Sequence, residues 1–298
     1  MHFLVTGGAG FIGSHLVRHL VSNNYDVTVV DNLHVGKIEN ISDLKDKIIF
    51  QKTDILEYDN IRKLSKNVDG IFHEAALTDV QESFSKPKEY HLVNVTGTEN
   101  IFRIAKEFDI KVVYASSSSV YGNQESMPIK EDVKRDPLNP YGQTKLDDEL
   151  LAEKYSSNGT KIIGLRYFNV YGKGQSMSYA GVITKFLDRV RNKKPPIIYG
   201  DGSQVRDFVY VGDVAKANLL AMQNDINFSF INVGSGKITS ILELAELIIK
   251  AAKLDVKPIF EKPLSGDAKK SQADVTLAEK LIGWHSEIKL QDWLSEIL

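Results

Sequence analysis

The chain has 298 residues, 42% of them hydrophobic and 26% charged, enough for a sizeable core, and its formal net charge of −2 argues against duplex nucleic acid or an anionic membrane as main partner. Zero cysteines exclude disulfides, thiolate catalysis and cysteine-held metals, so any chemistry rests on oxygen and nitrogen groups. No apolar run reaches the ~18 residues of a membrane span and the start MHFLVTGG lacks a signal-peptide layout; the expectation is a cytoplasmic protein acting on a small molecule.

Short β-branched runs alternate with helical patterns through the first half: HFLVT, DVTVV, KIIFQ, DGIFH, KVVYA and KIIGLRY read as strands of a parallel sheet. Between the first two, Phe11, Ile12, Leu16, Val17, Leu20 and Val21 mark one stripe of a crossover helix. YHLVNVTGTENIFRIAKEF and TKLDDELLAEKYSS read as two long amphipathic helices. After Arg166 the rhythm loosens at YGKGQ and YGDGSQ, and a further helical run covers Ile241 to Lys253. The expected class is α/β: a dinucleotide-binding domain over 1–166, with segments around 205–234 returning to it, and a smaller C-terminal α/β substrate domain over 167–298.

Directly after the first strand, Gly7-Gly8-Ala9-Gly10-Phe11-Ile12-Gly13 opens the crossover helix. Glycines permit a tight turn and close approach of backbone to a pyrophosphate, and the helix start offers free N–H groups and a positive dipole end. Asp31 closes the second strand, where a carboxylate binds adenosine ribose hydroxyls and repels a 2′-phosphate, so NAD is favoured over NADP. Asp54, after the third strand, reads either as an adenine contact or as an exposed turn aspartate.

Tyr141 and Lys145 are one helical turn apart behind a candidate N-cap, Asn139, and a candidate first helical residue, Pro140. With 12 tyrosines in the chain, that spacing alone also arises by chance on a capped surface helix. A free tyrosine titrates near pH ~10, so a phenolate base near neutrality needs about 4 kcal/mol of anion stabilisation, which an ammonium and a cationic nicotinamide can supply. The tract Ser116 to Ser119 follows the fifth strand, where an open parallel sheet gathers ligands and hydroxyls can bind a sugar oxygen. His15, His19 and His73 lack companions at metal-site spacing, so no metal is expected.

The glycine loop, Asp31, the serine tract followed by Val-Tyr-Gly, and Tyr141-x-x-x-Lys145, joined by HEAAL, NVTGTEN, LRYFNVYG, YGDGSQVRDFVYVGDVA and SGDAKKSQAD, resemble the extended short-chain dehydrogenase/reductases. Among these the chain is most similar to the NAD-dependent nucleotide-sugar epimerases and dehydratases that act on UDP-glucose and UDP-galactose. The resemblance implies a Rossmann doubly wound sheet, resident NAD, a UDP-sugar substrate, and a homodimer formed through the two long helices. It assigns catalysis to Ser117, Tyr141 and Lys145. Cofactor contacts fall on Gly7, Gly10, Phe11, Ile12, Gly13, Asp31, Asn32, Asp54, Ile55, Ala75, Ala76, Asn94 and Tyr167, with Tyr141 and Lys145. Ser117, Ser118, Ser119, Tyr141, Asn169, Val182, Arg206 and Ser271 would face the nucleotide sugar.

The implied reaction is inversion at sugar C4 through a transient 4-keto sugar. Ser118 and Ser119 stand where dehydratases of the family carry acids, which counts against water elimination. Leu264-Ser265-Gly266-Asp267 replaces the family's Arg-x-Gly-Asp and removes a diphosphate contact, for which Lys262, Lys269 or Lys270 offers a point charge but not the planar fork. Ser271, by resemblance at the position that limits bulk at the sugar C2, leaves room for an N-acetyl group. UDP-glucuronate epimerisation or decarboxylation, and a silent dinucleotide-sensing module, are the competing readings.

Overall fold

The computed structural model describes the whole chain except residues 176, 178–180, 264, 265 and 267. The first half runs β1 (His2–Thr6), α1 (Phe11–Ser22), β2 (Asp26–Asp31), β3 (Ile48–Lys52), α2 (Tyr58–Leu64), β4 (Gly70–His73), α3 (Val80–Ser85), α4 (Pro87–Tyr90), α5 (Gly97–Phe108), β5 (Lys111–Ser117), α6 (Pro140–Ser156) and β6 (Ile162–Tyr167). The second half adds β7 (Asn169–Tyr171), α7 (Val182–Arg191), β8 (Ile197–Tyr199), β9 (Val205–Arg206), β10 (Phe208–Tyr210), α8 (Val211–Gln223), β11 (Phe228–Val233), β12 (Thr239–Ser240), α9 (Ile241–Ala251), β13 (Ile259–Glu261), α10 (Thr276–Ile282) and α11 (Leu290–Ile297).

Seven parallel strands form the central sheet in the order β11-β6-β5-β4-β1-β2-β3. The order reverses between β1 and β4, and ligands of such doubly wound sheets bind at that switch, beyond the strands' carboxyl ends. Both faces are covered, which is why β1, β2, β4, β5 and β6 read as apolar runs rather than alternating ones. One face buries Leu16, Val17, Leu20, Val214, Ala217 and Trp284, and the other Ile101, Phe102, Ile104, Ala105 and Ala152. A third core packs α7, α9 and α11 around Phe186, Leu244, Ile248 and Trp293.

Two long helices depart from their sequence pattern. Residues 91–96 form a π-helical segment between α4 and α5. In α6 the buried stripe is Gly142, Thr144, Lys145, Asp148, Glu149 and Ala152, mostly polar, so that helix is held by inward hydrogen bonds and ion pairs rather than by an apolar face.

Candidate active site

At the sheet's switch point, Gly7 has φ +68°, and a side chain there would put its Cβ 2.7 Å from the Ala75 nitrogen. A Cβ on Gly13 would lie 2.2 Å from the Gly7 carbonyl, so strand-turn and helix touch only because both positions lack side chains. Helix α1 follows its N-cap residue Gly10 with no side-chain cap and no acid in its first turn, which leaves its positive end to a ligand. Asp31 accepts from Ala9 N at 3.0 Å and Leu33 N at 2.8 Å; burial raises its pKa, and these two bonds oppose that rise. Asn32 Nδ2 donates to Asp54 Oδ2 at 2.7 Å, and Ile55 packs on Gly97, so the loops after β2 and β3 close the same end of the cleft.

The other wall comes from the ends of β4 and β5 and the start of α6. Asn139 caps α6, its Oδ1 accepting from Gly142 N at 2.7 Å, with Pro140 in the first turn. Lys145 is buried: its Nζ donates to Ala115 O at 2.9 Å and lies 3.3 Å from Asp148 Oδ2. Tyr141, one turn earlier on the same helix, also lines the cleft. Ser117 Oγ accepts from Ser119 N at 3.1 Å, and Ser117, Ser118 and Ser119 face the same space, whereas Ser116 Oγ donates to Glu149 Oε1 at 2.6 Å.

Ala75, Ala76 and Tyr167 line the cleft beside them. Asn94 stands behind this wall, fully buried: its Oδ1 accepts from Leu77 N at 2.8 Å, and its Nδ2 donates to Leu77 O and Thr144 Oγ1, both at 3.0 Å. The π-helical segment therefore uses Asn94 to fix the loop after β4 to helix α6, and the side chain is not among the cleft-lining groups.

Sequence reasoning passed over two buried acids here. Glu74 lies directly after β4 and accepts from the Tyr167 hydroxyl at 2.9 Å; burial pushes its pKa up to about 7, with that bond and Lys145 opposing. Asp148, three residues after Lys145, is likewise pushed up to about 7 by burial, against the pull of Lys145. Glu74 was visible in HEAAL, at the carboxyl end of a strand. Asp148 gave no signal beyond its place on one helix face with Lys145.

Val182, Asn169, Arg206 and Ser271 line the far end of the same cleft. Asn169 Nδ2 donates to Asp207 O at 3.0 Å, Arg206 Nη1 donates to Val205 O at 2.9 Å, and Ser271 N donates to Val205 O at 3.1 Å. Asp207 itself is held by the N–H groups of Ser235, Gly236 and Ala273, and Asp213 by those of Glu287 and Ile288. Leu264, Ser265 and Asp267 of the altered Arg-x-Gly-Asp motif lie outside the described residues. Among the described residues no group of three or more His, Asp or Glu is placed to hold a metal ion, and no helix is long and apolar enough to cross a membrane.

The cleft has a volume of about 1120 Å³, just above the ~300–1,000 Å³ usual for a ligand pocket. A glycine turn with no space for a Cβ, an uncapped helix start and a buried acid at the end of β2 suit a pyrophosphate and an adenosine ribose. Fold and site define a dinucleotide-dependent enzyme of the doubly wound α/β class.

The chain belongs to the NAD dependent epimerase/dehydratase family, which matches residues 3–234, and its cofactor is NAD. It is 42% identical, over 99% of its length and 96% of the other's, to a putative UDP-glucose 4-epimerase of Methanocaldococcus jannaschii. Two solved structures are also similar. A UDP-N-acetylglucosamine 4-epimerase of Methanobrevibacter ruminantium M1, in complex with UDP-N-acetylmuramic acid, has TM-score 0.93 and 38% identity, with coverage of 99% of this chain and 96% of that one. A UDP-glucuronic acid 4-epimerase of Bacillus cereus, in complex with UDP-glucuronic acid and NAD, has TM-score 0.92 and 34% identity with the same coverage.

Proposed function

We propose that this protein interconverts UDP-hexoses at C4, taking UDP-glucose and UDP-galactose and also their N-acetylated counterparts. The observation that carries the reading is the arrival of Ser117, Tyr141 and Lys145, from two different elements, on one cleft between the glycine turn and Arg206.

In this reading Tyr141 takes the proton from the sugar C4 hydroxyl and later returns it, Ser117 donates a hydrogen bond to the same oxygen, and Lys145 supplies positive charge to the phenolate. Gly7, Gly10, Phe11, Ile12, Gly13, Asp31, Asn32, Asp54, Ile55, Ala75, Ala76 and Tyr167 hold the dinucleotide, whose nicotinamide supplies the acceptor and donor of hydride when bound. Arg206 and Asn169 hold the diphosphate, Arg206 through its planar fork of donors, while the sugar stays loose enough to present both faces. Val182 and Ser271 border the nucleotide sugar. Ser118 and Ser119, hydroxyls rather than acids beside Ser117, support epimerisation over dehydration.

The test is incubation of the purified chain with UDP-glucose, UDP-galactose, their N-acetyl analogues and UDP-glucuronate, with products resolved by NMR. C4 epimers of the neutral sugars are expected, with turnover reduced at least ~100-fold by Tyr141→Phe. Turnover of UDP-glucuronate alone, a 4-keto-6-deoxy product, or full activity in the phenylalanine variant would overturn the reading.

The proposed assembly is a homodimer through α5 and α6, supported by the exposed Leu92 and Leu150, 50% and 48% accessible, on and beside these helices. Light scattering at micromolar concentration is expected to return twice the monomer mass.

A further inference from the structure

Lys145 and Asp148 form an ion pair with almost no solvent access: their side chains are 4% and 0% exposed and the N–O distance is 3.3 Å. Asp148 Oδ1 makes no hydrogen bond of ordinary geometry among the described residues, and the ionised carboxyl is favoured by Lys145 first and by the Thr98 hydroxyl second. Nothing in the proposed chemistry needs an acid there, and a buried ion pair recovers little net stability over its desolvation cost, so stability alone does not account for it.

What it does follows from electrostatics at short range in a site of reduced dielectric. A lone buried ammonium presents a full positive charge to the phenol one turn above it. An ammonium compensated by a carboxylate presents a dipole, whose field falls off faster. We propose that Asp148 is a positioning residue that sets how much of the Lys145 charge reaches Tyr141, and thereby the pH at which the tyrosine works as a base.

The rest of the surroundings does not take over this role. From α6 itself, Asp147 lies near Asp148 and Glu149 is committed to Arg166 of β6. His73 of β4 and Glu74 after it face Lys145, Thr98 faces Asp148 from α5, and the Tyr114 phenol of β5 feels both Asp148 and Glu149. His73 and Tyr114 remain neutral around pH 7, being held so by burial, which leaves Glu74 and Asp148 as the groups that change charge beside Lys145 there. Only Asp148 is in contact with the ammonium among these.

The inference rests on the epimerase reading for its chemistry but has a readout that needs no sugar. In the NAD-loaded protein, the Tyr141 phenolate is followed near 295 nm as the difference between the parent and Tyr141→Phe, with Asp148→Asn, Asp148→Ser and Asp148→Glu compared. Removing the charge is expected to move phenolate formation, and the acid limb of kcat/KM for UDP-glucose, down by about one pH unit, a roughly tenfold gain on that limb. Asp148→Glu should restore the parent profile. A titration unmoved by either neutral variant, with kcat/KM changed by the same factor at every pH, would show a merely structural residue and overturn the proposal. If neither neutral variant folds, Glu74→Gln decides, because it removes the other group that titrates beside Lys145: a phenolate curve still broadened beyond a single proton in that variant supports coupling to Asp148, and a one-proton curve overturns the proposal. Absence of epimerisation with a displaced phenolate titration would instead count against the assigned reaction and leave the coupling standing.

Discussion

Arg166 grips Glu149 with two parallel hydrogen bonds, Nε to Oε1 and Nη2 to Oε2, each 2.8 Å long, and both side chains are buried. The pair ties β6 to α6, the helix that carries Tyr141 and Lys145. Its remaining valences are filled: Arg166 Nη1 donates to the Tyr121 hydroxyl and to Glu131 O, Ser116 Oγ and Arg135 Nη1 donate to Glu149, and the guanidinium lies over the Tyr121 and Phe230 rings. Breaking such a pair leaves an uncompensated buried charge at a cost of about 3–5 kcal/mol, whereas replacing both partners removes that penalty. Glu149→Gln should therefore lower the unfolding free energy by several kcal/mol in urea denaturation, and Glu149→Leu with Arg166→Met should recover most of the loss. A double variant as unstable as the sum of its singles would contradict this account.

The glycine turn gives a prediction about cofactor retention. A Cβ at Gly13 meets the Gly7 carbonyl at 2.2 Å and its carbon at 2.8 Å, and both are backbone atoms that cannot swing aside. Gly13→Ala must push α1 away from the turn proposed to hold the pyrophosphate. The NAD content of the purified variant, measured after acid release, should fall to a small fraction of the parent's while circular dichroism stays folded. Full NAD occupancy in Gly13→Ala would show that the turn does not hold the cofactor.

His73 makes stability depend on pH. Its ring nitrogens lie 2.7 Å from Thr6 Oγ1 and 2.9 Å from Thr98 Oγ1, and burial, with some help from Lys145, lowers its pKa to about 3. Below about pH 6.5 the unfolded imidazole binds a proton that the folded one refuses, so this group costs stability as pH falls from about 6.5 toward 3, by up to about 1.4 kcal/mol per pH unit. Glu74 has the opposite sign: folded, it keeps its proton up to about pH 7, so its contribution falls as pH rises from about 4.5 to that value. Denaturation midpoints at pH 7, 6 and 5 should show His73→Gln gaining on the parent as the pH drops, and Glu74→Gln gaining on it as the pH rises. Parallel pH curves for all three proteins would refute both assignments.

Much of this arrangement could be read from the chain because the signals are local. Five of the six β-branched runs, β1, β2, β4, β5 and β6, are strands because a sheet covered on both faces needs apolar residues on both sides, the sixth, β3, is the half-exposed edge, and Asn139-Pro140 starts α6 because one residue caps and the next lacks a donor to lose. What stayed hidden depends on partners far along the chain. Arg166 and Glu149 are 17 residues apart and on different elements, so neither reveals the other. The stripe of Thr144, Lys145, Asp148 and Glu149 reads as solvated on any apolar periodicity, yet it faces inward because each polar group meets another inside. Asn94, expected beside the cofactor, bonds Leu77 and Thr144 from within a π-helical segment that no residue type announces.

Ser271 is buried and lines the cleft beside Arg206, and its nitrogen is fixed by Val205 O, so the backbone there cannot retreat from a larger side chain. A tyrosine at this position adds a ring to the space assigned to the substituent at sugar C2. For a hydroxyl at C2 that volume is spare; for an N-acetyl group it is needed. Excluding a group that the proposed function has the parent accommodate is a steric effect on binding, so it should appear chiefly in KM for the acetylated pair, with kcat/KM for UDP-glucose and UDP-galactose retained within a few-fold. In Ser271→Tyr, kcat/KM for UDP-GlcNAc and UDP-GalNAc should fall at least ~100-fold, the scale of a lost pocket contact. Equal loss for both pairs would mean that residue 271 sits elsewhere relative to the sugar. No loss for either would mean that the acetyl group occupies another part of the cleft.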